Sequence, residues 1–116
     1  GVTLIGVETF YQCKSLQAIT LPESIRYIEY SAFCKCASLK YINIPKNVIS
    51  IGALAFNSCL NLHSIVIPEG ITSILCCTFE SCSSLQFITI PKSVTLFEEK
   101  VFKGCYICKA LISQKV

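Results

Sequence analysis

The stretch LKYINIPKNVISIGALAFNSCLN, residues 39–61, decides the fold. Ile42, Asn43 and Ile44 alternate apolar and polar, the period-2 mark of a strand with one buried face. Pro45 then closes that strand, because a residue without an N–H cannot continue a ladder that needs donors on both sides. Beyond it, Val48, Ile51, Ala55, Phe56 and Cys59 turn inward at uneven intervals. Such spacing suits a turn, a short extended piece and a tight helical turn better than a full helix.

Outward from this stretch the same pattern returns at a fixed interval of 23 residues. Phe10, Phe33, Phe56, Phe79 and Phe102 keep that interval, and so do Cys13, Cys36, Cys59, Cys82 and Cys105. Pro22, Pro45, Pro68 and Pro91 follow in phase, with Leu16, Leu39, Leu62 and Leu85 and with Ile19, Ile42, Ile65 and Ile88. A period between about 20 and 50 residues signals a solenoid, in which each coil buries its apolar edge only against the coils above and below. Residue i then lies beside residue i+23, with parallel strands about 4.8 Å apart.

Composition bounds the function. At 116 residues the chain is one folding unit, below the usual domain length of about 150. With 53% hydrophobic and 15% charged residues it lies outside the disordered class. No apolar run approaches the roughly 18 residues needed to cross a bilayer. The net charge of +3 comes from scattered lysines and Arg26 against seven glutamates, leaving no basic footprint for nucleic acid or anionic lipid. Aspartate is absent and His63 is the single histidine, which removes Ser-His-Asp triads and Asp-based calcium loops. No nucleophile, base and orienter can be placed within reach of one another, so an enzyme is not expected and no cofactor is implied.

The repeat resembles the BspA-like, or treponemal-type, class of leucine-rich repeat. Ile44-Pro45, Ile51-Gly52, Ala55-Phe56, Cys59 and Leu62 carry the resemblance, which covers almost the whole chain. Gly52 is replaced by Glu29, Leu75 and Glu98 in other coils, and Ala55 by Thr78 and Val101. The last coil offers Cys108, Leu111, Ser113 and Gln114 in place of Leu, Ile, Ile and Pro. The resemblance implies a mainly β, right-handed solenoid spanning 1–116 as a single domain. It would have a parallel concave sheet, short extended or 3-10 return limbs, about four full repeats and partial coils at both ends. It also implies a surface or secreted adhesion and binding protein.

In such a stack the outward strand positions form columns: Ala18, Tyr41, Ser64, Phe87 and Ala110, and beside them Thr20, Asn43, Val66, Thr89 and Ile112. Tyr41 and Phe87 are large apolar groups on this face, with Val66 between them, and Lys40, His63 and Gln86 lie at the margin. Aromatic anchors inside a polar rim are the usual make-up of an interaction patch. Tyr41, Phe87, Val66, Asn43, Ser64, Lys40, His63 and Gln86 are therefore the candidate partner contacts. His63 shares its column with Gln17, Lys40, Gln86 and Lys109, all polar, and reads as a solvated side chain.

The in-phase cysteines read as small core side chains, since free Cys is among the most buried residue types. Cys105-x-x-Cys108 has a superficial zinc spacing, but a zinc site needs four converging ligands, so no metal is expected. Cys76 and Cys77 fall on the return limb and are expected to be partly exposed. Asn57-Ser58-Cys59 is at best a rare variant of a glycosylation sequon.

Two functional readings follow. One is a surface or secreted recognition module whose partner is a protein, such as a host or matrix protein, bound on the concave sheet. The alternative is an intracellular scaffold with the same face, favoured by abundant unpaired thiols, which the cytosol keeps reduced. Val2 aligns with Ile25, so the sequence enters partway through a coil and reads as an excised fragment. Exposed end coils would favour end-to-end homo-association.

Overall fold

The computed structural model describes residues 1–106 and, as backbone, the strand Lys109–Ile112. It is a parallel β solenoid without a helix among the described residues. Each coil contributes one strand to a main sheet: β2 (Ala18–Thr20), β4 (Tyr41–Asn43), β6 (Ser64–Val66), β8 (Phe87–Ile90) and β10 (Lys109–Ile112), in the spatial order β10-β8-β6-β4-β2. Two-residue strands on the return limb, β1 (Leu4–Ile5), β3 (Tyr27–Ile28) and β5 (Ser50–Ile51), form a second ladder. A third ladder joins β7 (Ser73–Ile74) and β9 (Leu96–Phe97).

The expected step of 23 residues is the observed register through most of the stack. Ala18 pairs with Tyr41, Tyr41 with Ser64, and Ser64 with Phe87. Inward residues form one continuous core, from Ile5 through Ile25, Phe33, Leu39, Phe56, Leu62, Phe79 and Leu85 to Val101. The phenylalanines stack as one column with nearly parallel rings. Their centroid spacings are 5.1, 5.5, 5.8 and 6.1 Å from Phe10 to Phe102. Where the prolines end the strands, their carbonyls close turns, accepting from the amides of Ile25, Val48, Ile71 and Val94 at 3.1 Å.

The last strand departs from the expected columns. Lys109 pairs with Phe87, Ala110 with Ile88 and Ile112 with Ile90, a step of 22 residues. Ala110 and Ile112 therefore occupy the register positions of the inward pair Ile88 and Ile90, not the outward columns assigned from the sequence. The reason is compositional: a step of 23 would set Ser113 against Ile90, whereas the shorter step sets an isoleucine there.

The tight turn of the return limb is realised as a run of hydrogen-bonded turns. In the coil of Phe33, the amides of Ala32, Cys34 and Cys36 donate to Glu29, Ser31 and Phe33 carbonyls three residues back. The alternate amides of Ser31, Phe33 and Lys35 donate instead to the next coil, at Ala53, Ala55 and Asn57. This alternation requires two left-handed residues per coil. One column holds Glu8, Ser31, Leu54, Cys77 and Lys100, with φ from 54° to 63°. The other holds Gln12, Lys35, Ser58, Ser81 and Gly104, with φ from 58° to 81°. A left-handed residue other than glycine costs about 1–2 kcal/mol, offset here because its N–H gains a cross-coil acceptor. Gly52 serves a different need: a Cβ there would lie 2.5 Å from the Tyr30 nitrogen of the preceding coil.

Candidate functional site

The main sheet presents its outward residues in two columns. Tyr41, Val66 and Phe87 are exposed at 56%, 63% and 42% of their surface, large values for residues of this size. Lys40 and Asn43 are also exposed, and Ser64 and Gln86 are half-buried. Strand pairing brings Tyr41, Ser64 and Phe87 into one row, with Ser64 in the middle.

His63 is not the solvated margin residue its column suggested. It is half-buried, and its ring stands edge-on to both aromatics, 5.9 Å from Tyr41 at 70° and 6.1 Å from Phe87 at 74°. The small side chain of Ser64 leaves the room that the imidazole fills. Tyr41, His63 and Phe87 are thus one aromatic strip across three coils, each edge-to-face contact worth about 0.5–1.5 kcal/mol beyond burial. A serine between two aromatics of one column was the sequence signal for this arrangement. Along the strip the outer positions Thr20, Asn43, Val66 and Thr89 carry no charge; Lys40 stands beside Tyr41, and Lys109 is the register partner of Phe87.

The thiols do other work. Cys36, Cys59, Cys82 and Cys105 direct their Sγ–H at the carbonyls of Phe10, Phe33, Phe56 and Phe79, at 3.0, 3.1, 3.0 and 2.9 Å. The Phe10, Phe33, Phe56 and Phe79 carbonyls also accept the amides of Cys13, Cys36, Cys59 and Cys82 in their own coils, so each carbonyl joins two coils. A core position filled by size alone would not require cysteine; the donor explains the choice. Burial holds the Cys36 thiol protonated, pushed up to about 11, and raises Cys34 and Cys59 as well. On the return limb Cys77 is pushed up to about 12, first by its hydrogen bond with the Cys76 side chain. Protonated thiols are poor nucleophiles and poor metal ligands.

Among the described residues no three His, Cys, Asp or Glu side chains converge on a metal position, and Cys108 lies outside them. No helix among them is long and apolar enough to cross a membrane. Cys76 and Cys77 are half-buried, in line with the partial exposure expected. Asn57, the sequon candidate, is buried and engaged: its Nδ2 donates to the Cys77 carbonyl and to Glu80 Oε1, both at 3.2 Å, and Oδ1 accepts from Ser58 at 2.8 Å. A cavity of about 460 Å³ beside Phe97, Val101 and Phe102 is lined otherwise by Ile90, Glu98, Lys100 and Lys103, with no hydroxyl, thiol or imidazole among the described residues.

The family model for the BspA-type leucine-rich repeat region matches residues 1–116, in six copies. A leucine-rich repeat protein of Treponema pallidum, solved by crystallography, is 33% identical with a TM-score of 0.89, covering 95% of this chain and 51% of that one. A leucine-rich cell surface protein of Faecalibacterium prausnitzii is also 33% identical, with a TM-score of 0.64 over 85% of this chain and 32% of its own. A leucine-rich repeat protein of Eubacterium ventriosum shares the fold at 22% identity and a TM-score of 0.78, over 98% of this chain and 30% of its own. The chain thus spans about half the length of the Treponema protein and less of the others. No curated protein matches it.

Proposed function

The chain belongs to the BspA-type leucine-rich repeat family, a fold that serves in general as a protein-interaction module, and we propose that it is a non-enzymatic recognition module of the cell surface or a secreted protein. Its contact patch is the strip Tyr41–His63–Phe87 with Val66, framed by Lys40, Asn43, Ser64 and Gln86. The observation that carries this reading is the exposure of Tyr41, Val66 and Phe87 together on one sheet, where a chain that only had to fold would place polar groups. The partner is a protein, of the host or matrix class. The cell surface assignment is supported by the description of the Faecalibacterium relative.

Use of the inner face of a curve has support from the spacing of the phenylalanines. Their centroids stand 5.1 to 6.1 Å apart on the turn side, against about 4.8 Å between the strands of a sheet, the direction of spread that a stack concave on its sheet face requires. The protonated thiols support the absence of enzymatic activity. The test is binding to immobilised matrix proteins by the wild type and by a Tyr41→Ala/Phe87→Ala double variant. Retained binding by a folded double variant refutes the assignment of the patch.

A second reading, an intracellular scaffold with the same face, is favoured by the reduced thiols of Cys13, Cys34, Cys36, Cys59, Cys76 and Cys77. Counting free thiols on protein from its native source separates the two. End-to-end association of copies belongs to the proposal as well. The alternate turn-corner amides that leave their own coil all donate toward the next one, so stacked copies would meet donor to acceptor there.

A further inference from the structure

The interface between the coil of residues 41–59 and the coil of residues 64–82 is built differently from its neighbours. On the return limb β5 and β7 belong to separate ladders. At the flanking interfaces backbone amides bridge the coils. Ile49 donates to Arg26 O at 2.8 Å and Gly52 to Ile28 O at 2.7 Å; Thr95 donates to Thr72 O and Glu98 to Ile74 O, both at 2.9 Å. The equivalent pairs, Thr72 N–H with Ile49 O and Leu75 N–H with Ile51 O, are not formed among the described residues.

Side chains add to the contrast with the following interface, where Ser93 donates a hydroxyl to the Ile71 carbonyl as Ser24 does to Val2 at the first; the position is Asn47 at the preceding interface and Gly70 here. On the main sheet β4 and β6 share one register pair, Tyr41 with Ser64, where β2–β4 and β6–β8 share three. The turn corner stays closed: Leu54, Phe56 and Ser58 donate to Cys76, Thr78 and Glu80, and the Phe56 and Phe79 rings remain stacked at 5.8 Å.

Between the parted limbs lies a slot of about 50 Å³ lined by Ser50, Thr72 and Ser73 with Ile49, Ile51 and Leu75. It offers amide donors from one coil and carbonyl acceptors from the other. An anion would satisfy the amides alone and a cation the carbonyls alone; a water molecule donates and accepts, and needs only about 10–15 Å³ of such space. We propose that ordered water bridges Thr72 and Leu75 to Ile49 and Ile51 in this slot, and that the wetted seam is the flexion point of the array, pivoting on the Phe56–Phe79 stack. Tyr41 and Phe87 stand on opposite sides of the seam, so flexion changes the spacing of the exposed aromatic strip.

Amide exchange measured by NMR on the full chain tests this. Thr72 and Leu75 should exchange at least tenfold faster than Ile49, Gly52, Thr95 and Glu98, and a high-resolution crystal structure should hold water in the slot. Gly70→Ser, which restores a hydroxyl facing Val48 O, should slow exchange at Thr72. Exchange of Thr72 and Leu75 within twofold of their counterparts overturns the seam, and does so on the wild type even if the variant does not fold. Fast exchange with a dry slot overturns the water bridge.

Discussion

The Cys59 thiol lies 3.1 Å from the Phe33 carbonyl, one coil back, and donates its proton to an oxygen that already accepts the Cys36 amide at 3.2 Å. Cys59→Ala removes that donor and a buried sulfur together. The expected loss is about 1–2 kcal/mol of unfolding free energy, read by urea denaturation. An unchanged midpoint would mean that the sulfur contributes neither packing nor a bond.

Phe56 is fully buried at the centre of the ring column, whereas Phe87 is 42% exposed. Phe56→Ala should cost about 3–5 kcal/mol, enough to unfold a small array. Phe87→Ala should cost no more than about 1.5 kcal/mol by thermal melting, the worth of its ring contact with His63. Collapse of the Phe87 variant would invert the assignment of inside and outside.

His63 tests the aromatic strip separately from its ends. His63→Ala leaves Tyr41 and Phe87 in place but removes the ring between them, so affinity for a matrix-protein ligand should fall by about tenfold, or about 1.4 kcal/mol. Circular dichroism should be unchanged and melting should stay cooperative, lowered only by the about 1–3 kcal/mol of the two ring contacts, which separates loss of contact from loss of fold.

The raised thiol values predict an alkaline limit to stability. Folding holds Cys36 protonated up to about 11, above its ordinary value of 9.0, with burial the first cause, and raises Cys59 in the same direction. The folded state therefore binds more protons than the unfolded chain in that window. Stability is fully present below pH 9 and falls as pH rises from 9 to 11. Melting temperatures at pH 8, 9, 10 and 11 read it directly; a flat profile would show that these thiols ionise without cost.

End-to-end stacking predicts a rise in weight-average mass with concentration. Sedimentation equilibrium at millimolar protein should show association that is absent at micromolar levels. A strictly monomeric profile at both concentrations rules it out.

The register, the stacked phenylalanines and the exposed Tyr41 and Phe87 were all legible from the step of 23, because side chains at these positions answer to burial, which composition records. The left-handed positions were not. Glu8, Ser31, Leu54, Cys77 and Lys100 share no side-chain chemistry, since what their column demands is a backbone direction. The slip at Lys109–Ile112 was hidden for a related reason: one residue fewer exchanges a serine for an isoleucine, a difference the repeat consensus cannot anticipate. His63 was misplaced because a column of polar neighbours says nothing of the gap that Ser64 opens beside it.

The two left-handed columns have an electrical consequence. They aim three amides of every turn corner the same way, from Glu8, Phe10 and Gln12 toward the next coil and so on down the stack. Peptide dipoles in line add rather than cancel, as they do in a helix. Without a helix among its described residues, the protein thus possesses a lengthwise polarity along one edge, positive toward its later coils.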